Sequence, residues 1–394
     1  MIKHEFTEDT GLTIYLSGHI DTANAPEIEK EILNISSSTP HDTLIIDMAD
    51  LTYISSVGLR IMLKLKKSEK DMKIVNVSSE VYEIFDMTGF TEIMQIEKAY
   101  RNLSVDGCEK IGEGANGKVY RINKDTILKV YENGASSLED IKRERELARA
   151  AFVLGVPTAI SYDVVKVDGK YFGSVFELID AKSLANLLAS GEISLEKAAE
   201  VSTDLLKIIH SKEITNDTIP SAKNNAKEWI TYIKYYIPDN EYAKLISLID
   251  EVPECKNMIH GDYHIKNIML QDNESILIDM DTMSTGSPLF EFVSMYYTYM
   301  LSSEYNHDDA INFFGIPRSS TEYLWNTIMK LYYSDKSDEY VESVKEKAML
   351  LTYVRGLRRL IRTGKVQTEK GKEEAELFKS HITKLLSKVD TLII

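Results

Sequence analysis

The sequence is poor in cysteine, has no long apolar run and carries fewer basic than acidic residues. Only Cys108 and Cys255 occur in 394 residues, and neither lies in a cysteine or histidine ligand pattern. A disulfide framework or a zinc site is therefore not expected. No apolar run approaches the roughly 18 residues of a membrane span, and the first residues lack the features of a signal peptide. These absences predict a cytoplasmic protein that does not enter a membrane.

The charge balance narrows the range of partners. Lysine and arginine number 46 and the acidic residues 62, which gives a formal net charge of −16. Such a surface repels nucleic acid and anionic membranes, so neither is an expected partner. Hydrophobic residues at 43% and charged residues at 27% are typical of a globular chain. Because 394 residues exceed what one core usually organises, at least two domains are expected.

Residues 1–100 alternate strand-like and helix-like segments, which predicts a mixed sheet with helices packed on it. The segment IDMADLTYISSVGLRIMLKLKK reads as a buried strand, a polar turn and a helix, and it places Ser55 and Ser56 at the helix start. A serine there can cap the free N–H groups of the first turn. A phosphate at that point would also be favoured by those N–H groups and by the helix dipole. Both roles stay open.

The segments DLTYISSVGLRIML and IFDMTGF resemble the STAS domain of bacterial anti-sigma factor antagonists, over about residues 1–100. The resemblance implies an α/β STAS fold. It also implies that a kinase phosphorylates a serine that falls on Ser56, and that this modification controls docking onto an anti-sigma factor. The family often has an aspartate before that serine, where this chain has Ser55.

A polar linker at residues 101–107 precedes IGEGANGKVYRINKDTILKVY, which predicts three strands with a glycine turn between the first two. Gly112, Gly114 and Gly117 allow the backbone to approach a phosphate, and Val119 is placed to cover an adenine ring. A dinucleotide fingerprint would instead open a helix, whereas KVYRI alternates like a strand. The pattern favours an ATP-binding hairpin.

Lys129 lies on the third of these strands between apolar residues, where its charge needs an anionic partner. In a kinase-like lobe the lysine contacts ATP phosphates and is held by an acidic residue of the following helix. The helix-like segment SLEDIKRERELARAAFVLGVP offers Glu144 as the first choice and Glu146 as the alternative.

The segments MIHGDYHIKNIML and SILIDMDT have the order of a catalytic loop and a metal-binding strand end. Asp262 and Asn267 are five positions apart, as in the kinase pattern D-x-x-x-x-N. Asp262 can accept the proton of a substrate hydroxyl, while Asn267 and Asp279 can hold Mg²⁺ against the phosphates. The cofactors predicted are therefore ATP and Mg²⁺.

The motifs HGDYHIKN and IDMD differ from the His-Arg-Asp and Asp-Phe-Gly of protein kinases. They resemble the HGDxHxxN and IDxD motifs of the aminoglycoside phosphotransferase and choline kinase family, over roughly residues 108–390. The resemblance implies Asp262 as the base, a small-molecule acceptor and an α+β two-lobed protein-kinase-like fold. Glu291 stands where the family often has an aspartate. The domains expected are STAS at 1–100, linker at 101–107 and kinase-like domain at 108–394, with lobes at about 108–180 and 181–394.

Two further groups of residues bear on the acceptor. The aromatic-rich group either packs in the core or forms a cation–π box for an aminated substrate; it comprises Trp229, Tyr232, Ile233, Tyr236, Tyr296, Tyr297 and Tyr299. The basic stripe in YVRGLRRLIRTGK is either a solvated helix face or a contact for an anionic substrate or the acidic N-terminal domain; it comprises Arg355, Arg358, Arg359 and Arg362.

Three functions remain open at this point. The first is a Mg²⁺- and ATP-dependent phosphotransferase acting on a small hydroxyl or amine acceptor, with a STAS domain that senses, docks or regulates. The second is phosphorylation of Ser56 by the kinase-like domain, in the same or a neighbouring chain, helped by tethering. The third is a nucleotide-sensing module without turnover that docks through the STAS domain on an anti-sigma factor or another signalling protein.

Overall fold

The computed structural model describes residues 2–7, 11–69, 71–114, 117–132, 137–215, 219–271 and 274–394. The chain forms two compact units. One contains the residues up to Val105 together with Val164–Tyr171, and the other contains Asp106–Asp163 and Phe172–Ile394. Each unit has its own core of buried apolar side chains.

The first unit is built on a five-stranded sheet. Its strands are β1 (Ile2–Thr7), β2 (Gly11–Ile20), β3 (Thr43–Ile54), β4 (Met72–Val77) and β5 (Gln95–Lys98). They lie in the order β1-β2-β3-β4-β5, with β1 antiparallel to β2 and the other pairs parallel. The helices are α1 (Ala25–Ser38), α2 (Ser56–Ser68), α3 (Ser79–Met87) and α4 (Phe90–Ile93). The mixed α/β fold predicted for residues 1–100 is confirmed.

Strand β3 and helix α2 supply much of this core. The fully buried side chains that alternate along β3 are Leu44, Ile46 and Met48. Those that α2 buries at helical spacing are Ile61, Met62 and Leu65. Burial of such side chains contributes about 1.5–3 kcal/mol each. This packing fixes the direction of α2, so its N-terminus lies directly after the end of β3.

The second unit starts with a sheet-containing lobe, as the glycine and lysine segments predict. Its strands and helix are β7 (Glu109–Gly114), β8 (Gly117–Arg121), β9 (Thr126–Tyr131), α5 (Leu138–Val153), β10 (Ser161–Val167) and β11 (Tyr171–Glu177). Strands β11, β9, β8 and β7 are neighbours in that order and are antiparallel. Helix α5 begins at a capping box formed by Ser137 and Asp140.

The last four residues of β10 belong to the first unit. There, Lys166 and Val167 pair in parallel with Asn102 and Leu103, which form the short strand β6 (Asn102–Leu103).

The remainder of the second unit is mostly helical, as expected for the second lobe. Its helices are α6 (Leu184–Ala189), α7 (Leu195–His210), α8 (Ala222–Tyr232), α9 (Asp239–Asp250), α10 (Leu289–Tyr299), α11 (Asp308–Phe314), α12 (Arg318–Tyr332), α13 (Asp338–Arg362) and α14 (Glu369–Leu386). Its short strands are β12 (Lys182–Ser183), β13 (Met258–Ile259), β14 (Ile268–Gln271), β15 (Glu274–Leu277) and β16 (Ser284–Thr285). In the part of the chain that the structure describes, no helix combines the length and the apolar character needed to cross a membrane.

Candidate active site

The segment 260–267 connects β13 to β14, where the sequence predicts the catalytic loop. Gly261 has a φ of +85°, and a Cβ at this position would lie 2.5 Å from the Thr282 carbonyl oxygen. Only glycine fits this combination of left-handed backbone and close approach. The Gly261 carbonyl accepts a hydrogen bond of 2.7 Å from the hydroxyl of Ser294 on α10. The loop therefore packs closely against Thr282 and is hydrogen-bonded to Ser294.

The buried carboxylate of Glu291 also holds this loop. It accepts hydrogen bonds from the backbone N–H groups of His260, at 2.6 Å, and Gly261, at 3.0 Å. Burial alone would raise the pKa of Glu291, but the neighbouring His210 and His260 and the His260 N–H outweigh burial and lower it. An ionised carboxylate in the core therefore orients the backbone on which the predicted base is carried.

Asp262 is half-buried, and its carboxylate lies 3.5 Å from Nε2 of His264. Burial opposes ionisation of Asp262, yet its pKa is lowered, because His264, His260 and Arg355 stabilise the negative charge. His264 is itself fixed by the rings of Phe313 and Phe314, at 5.4 and 5.8 Å. Asp262 is therefore an ionised carboxylate that can accept a proton.

Asn267 is tied to the same loop through its side chain. Its Nδ2 donates to the backbone carbonyl of Asp262 at 3.0 Å, and its backbone N–H donates to the His264 carbonyl at 2.9 Å. With the amide nitrogen committed in this way, Oδ1 is the atom that can ligate a cation.

Lys129 lies between two carboxylates. Its Nζ donates to Glu144 on α5 at 2.7 Å and to Asp279 at 2.9 Å. Burial would lower the pKa of Lys129, but the charges of Asp279 and Glu144 raise it instead, so the lysine is protonated. Of the two acidic residues considered on the helix, Glu144 is the one in contact with Lys129. The arrangement joins strand β9, helix α5 and the IDMD segment.

Asp279 and Asp281 form a concentration of negative charge. Asp279 has a φ of +66°, in the left-handed region, which marks a sharp turn after β15. Burial and then the charge of Asp279 raise the pKa of Asp281 to about 7. Across the described residues no group of three or more His, Cys, Asp or Glu side chains is arranged as a metal site. The oxygens of Asn267 and Asp279 match instead the partial set that Mg²⁺ uses when phosphates complete its shell.

The predicted glycine hairpin is formed by β7 and β8. Gly112 is paired with Val119, and Gly114 with Gly117. Residues 115 and 116, which come between the two strands in sequence, lie outside the described residues. A Cβ at Gly117 would lie 2.1 Å from the Val130 carbonyl oxygen, which explains the glycine. Val119 is in turn paired with Lys129 on β9. The structure therefore brings the hairpin and the lysine side by side.

Tyr131 and Asp281 are site residues that the sequence analysis missed. The Tyr131 hydroxyl donates to Glu144 at 2.7 Å. The sequence contains a signal for Tyr131, because this residue is two positions after Lys129 and therefore lies on the same face of the strand. For Asp281 the signal was the second aspartate of IDMD.

In the first unit the two serines have different roles. The side chain of Ser55 caps α2 by accepting from the Gly58 N–H at 3.4 Å. Ser56 is the first residue of α2 and is exposed, and its hydroxyl makes no hydrogen bond within the described residues. The capping role considered for the pair therefore belongs to Ser55, and Ser56 is accessible.

The basic stripe on α13 is not uniform. Arg355 is half-buried between the rings of Trp229 and Tyr297, each 5.3 Å from its guanidinium carbon. Arg358 and Arg359 continue the cluster toward the surface, and Arg362 is exposed in the last turn of the helix. The interpretation of the stripe as a solvated face therefore fails for Arg355.

The members of the aromatic-rich group also differ in their burial and in their contacts. Ile233 and Tyr299 are fully buried, and Tyr296 is nearly so, as expected for core packing. Trp229 and Tyr297 do face a cation, but that cation is Arg355 of the same chain.

An ionised aspartate on the loop between β13 and β14 and a buried lysine–glutamate pair are the arrangement that a kinase-like phosphotransferase needs. The model of the phosphotransferase enzyme family matches residues 107–314, which is more than half of the chain, and the STAS domain model matches residues 2–103. The chain belongs to the phosphotransferase enzyme family and carries an N-terminal STAS domain.

Individual relatives agree with the STAS part of the chain. The anti-sigma-B factor antagonist of Staphylococcus epidermidis is 25% identical over 96 residues, which are 23% of this chain and 88% of the relative. The corresponding protein of Staphylococcus aureus is 22% identical over the same length, with the same coverage of 23% and 88%. Each match has about the length of the single STAS domain at residues 2–103.

A solved structure shows the fold of the second part. A thermostable mutant of aminoglycoside phosphotransferase APH(4)-Ia is 12% identical with a TM-score of 0.50, covering 72% of this chain and 95% of that protein. A choline/ethanolamine kinase family protein from Mesorhizobium loti is 13% identical with a TM-score of 0.46, covering 72% and 88%. At these identities the APH(4)-Ia likeness shows the kinase-like fold alone.

Proposed function

We propose that the chain transfers the γ-phosphoryl group of ATP, with Mg²⁺, to a hydroxyl or amine of a small molecule. The observation that carries this proposal is the position of Lys129, whose Nζ donates hydrogen bonds to both Glu144 and Asp279. An ionised Asp262 lies on the loop between β13 and β14. A protonated lysine held in this way is suited to the phosphates of a nucleotide.

Each residue has a distinct task in the transfer. Asp262 accepts the proton of the acceptor hydroxyl, whose oxygen forms a bond to the γ-phosphorus while the bond to the β–γ bridging oxygen breaks and ADP leaves. Lys129 offsets negative charge on the phosphates, and Glu144 keeps it in place. Asn267 and Asp279 would hold Mg²⁺, which supplies charge neutralisation of the phosphates when bound.

Replacement of Asp262 by asparagine tests the proposal. In Asp262→Asn the turnover should fall by about 10²–10⁴-fold, because the proton acceptor is lost, while ATP binding measured by calorimetry is retained. Asp250→Asn is a matched control, since Asp250 forms an exposed pair with Lys227 at 2.6 Å. Full turnover in Asp262→Asn would reject the assigned base. Wild-type protein that binds ATP but transfers nothing to any acceptor would indicate a nucleotide-sensing module instead.

Phosphorylation of Ser56 by the kinase-like unit is a second candidate. Its support is the exposed Ser56 hydroxyl, which is not used for capping because Ser55 serves that role. A phosphate at this helix start would be stabilised by free N–H groups of the first turn. The likeness of the first unit to anti-sigma-B factor antagonists points to an anti-sigma factor or another signalling protein as the partner of that surface.

A phosphosite map separates the two candidates. Wild type, Asp262→Asn and Ser56→Ala are incubated with Mg²⁺ and ATP without added acceptor, and their intact masses and phosphopeptides are compared. Phosphate on Ser56 in the wild type alone is the expected result of self-modification, and its dependence on protein concentration distinguishes transfer within one chain from transfer between chains. Unmodified Ser56 beside rapid turnover of an added small molecule would reject this candidate.

A further inference from the structure

Three arginines of helix α13 contact aromatic side chains of the neighbouring helices α8 and α10. Arg355 is held between Trp229 of α8 and Tyr297 of α10, with 5.3 Å from its guanidinium carbon to each ring centre. Arg359 donates to the Tyr297 hydroxyl at 2.8 Å, and the Arg358 guanidinium lies 5.8 Å from the ring of Tyr232. The rings that an aminated acceptor could have used are therefore engaged by cations of the chain itself.

These arginines have little compensating negative charge. Within the residues that the structure describes, Arg355 and Arg359 form no ion pair, and Arg358 has one, of 3.5 Å, with the exposed Glu228. The Nε of Arg358 is buried and has no hydrogen-bond partner in the same part of the chain. Three uncompensated or weakly compensated guanidinium groups are unexpected in a chain with a net charge of −16. Such planar donor groups suit phosphate or carboxylate oxygens.

The cluster also lies one helical turn from the loop that carries the predicted base. On α10, Ser294 donates to the Gly261 carbonyl at 2.7 Å, and Tyr297, three residues further on, accepts from Arg359 at 2.8 Å. Within the described residues Asp262 is paired with His264 and not directly with Arg355, so the N–H groups of the guanidinium are not bonded to the predicted base. One small molecule can therefore place a hydroxyl at Asp262 and an anionic group at the arginines.

We propose that Arg355, Arg358 and Arg359 bind the anionic group, a phosphate or a carboxylate, of a small acceptor whose hydroxyl is phosphorylated at Asp262. This inference rests on the proposed function, and it names the substrate class of that site. The reaction is the one described above: the acceptor oxygen gains the phosphoryl group, ADP leaves, and the proton passes to Asp262. The arginines hold the acceptor and take no part in the bond changes.

Matched acceptors test the substrate class on the full chain. ADP release with Mg²⁺ and ATP is measured for glycerol, glycerate, glycerol 3-phosphate and ethanolamine, so that neutral, carboxylate, phosphate and amine compounds with two or three carbons are compared. The expected result is turnover that favours glycerate or glycerol 3-phosphate, and the preference between those two identifies the anionic group. A preference for glycerol or ethanolamine would overturn the inference and leave the proposed function intact.

Charge-removing variants locate the effect. Arg359→Gln should raise the KM of the anionic acceptor by about 10- to 100-fold with a smaller change in kcat, the loss expected for a charged hydrogen bond. Its KM for ATP should not change. Arg362→Gln, an exposed arginine one turn further on, is the control and should match the wild type. Equal KM values for the two variants would contradict the assignment.

A binding measurement keeps the inference separate from turnover. Because Trp229 stacks on Arg355, tryptophan fluorescence of the full chain should change on titration with inorganic phosphate or acetate at constant ionic strength. The change should be lost in Trp229→Phe and weakened in Arg359→Gln, and kept in Arg362→Gln. An unchanged signal with both anions would overturn the inference. Anion binding that does not compete with a turned-over acceptor would overturn the acceptor role of the cluster and leave the proposed function intact.

Discussion

At the scale of single residues, charged groups with different roles lie close together. Lys129 is protonated because Asp279 and Glu144 outweigh its burial, and Asp262 is ionised because His264, His260 and Arg355 outweigh its burial. Glu291 is fully buried and still ionised, because it is surrounded by donors and histidines. Glu291 holds the loop backbone through the N–H groups of His260 and Gly261, so its substitution should change the free energy of unfolding.

Glu291→Gln should make the stability of the protein less dependent on pH. The folded-state pKa of Glu291 is lowered, so its stabilisation is fully present above the unfolded pKa of about 4.5 and is lost as the pH falls through the lowered value. The variant should therefore be less stable than the wild type at neutral pH, and the difference should shrink in acid. Urea unfolding at several pH values measures this. Glu200→Gln, in an exposed pair with Lys197, is the control. A difference independent of pH would contradict the explanation.

At the scale of elements, two tight glycine positions allow the catalytic segments to approach their neighbours. Gly117 brings the glycine hairpin against β9, and Gly261 brings the catalytic loop against Thr282. Both positions leave no room for a Cβ.

Gly261→Ala should remove activity at a moderate cost in stability. The new Cβ would meet the Thr282 carbonyl oxygen at 2.5 Å, so the loop must shift and Asp262 must move with it. Gly191→Ala is the matched control, because Gly191 also has a positive φ, of +73°, with nothing within 4 Å. Both variants should lose about 1 kcal/mol from backbone strain, but only Gly261→Ala should lose phosphotransfer. Unfolding curves and ADP release give the two readouts. Normal turnover in Gly261→Ala would show that the loop tolerates the shift.

At the scale of the whole molecule, the chain carries two separate hydrophobic cores. The core of the first unit is centred on its mixed sheet, and that of the second on helices α7, α10, α12 and α13. Separate cores allow each unit to be perturbed by a substitution inside it. This property can be tested without reference to activity.

Truncation of one buried side chain in each unit should have local effects. Ile46→Ala and Leu351→Ala both remove fully buried apolar groups, and each should cost about 2–5 kcal/mol. Hydrogen exchange followed by mass spectrometry should show loss of protection in the sheet of the first unit for Ile46→Ala and in α13 for Leu351→Ala. Loss of protection in α13 by Ile46→Ala would show that the two units unfold as one.

Much of the site could be predicted because its signals are local in sequence. The interval from Asp262 to Asn267 and the helix that follows Lys129 carry their own spacing, and the structure places Glu144 beside Lys129 as that spacing predicts. The contacts of Arg355 with Trp229 and Tyr297 could not be predicted, because they join three helices that are distant in the chain.

The assignment of the helix cap also required the structure. Ser55 and Ser56 have the same chemistry, and only the backbone shows which comes first in α2. Ser55 has an extended ψ of 172°, and its hydroxyl faces the Gly58 N–H. The sequence alone identifies the two serines, whereas the backbone conformation at the start of α2 decides which of them caps the helix.

The hydrogen bond from Asn267 Nδ2 to the Asp262 carbonyl has an implication for redesign of the enzyme. One amide serves two neighbours, since its oxygen is the candidate cation ligand and its nitrogen anchors the backbone of the base. An aspartate at position 267 would keep an oxygen for the ion and lose the anchor. A substitution chosen to alter the proposed metal preference should therefore also release the backbone of Asp262, so both proposed roles are expected to change together.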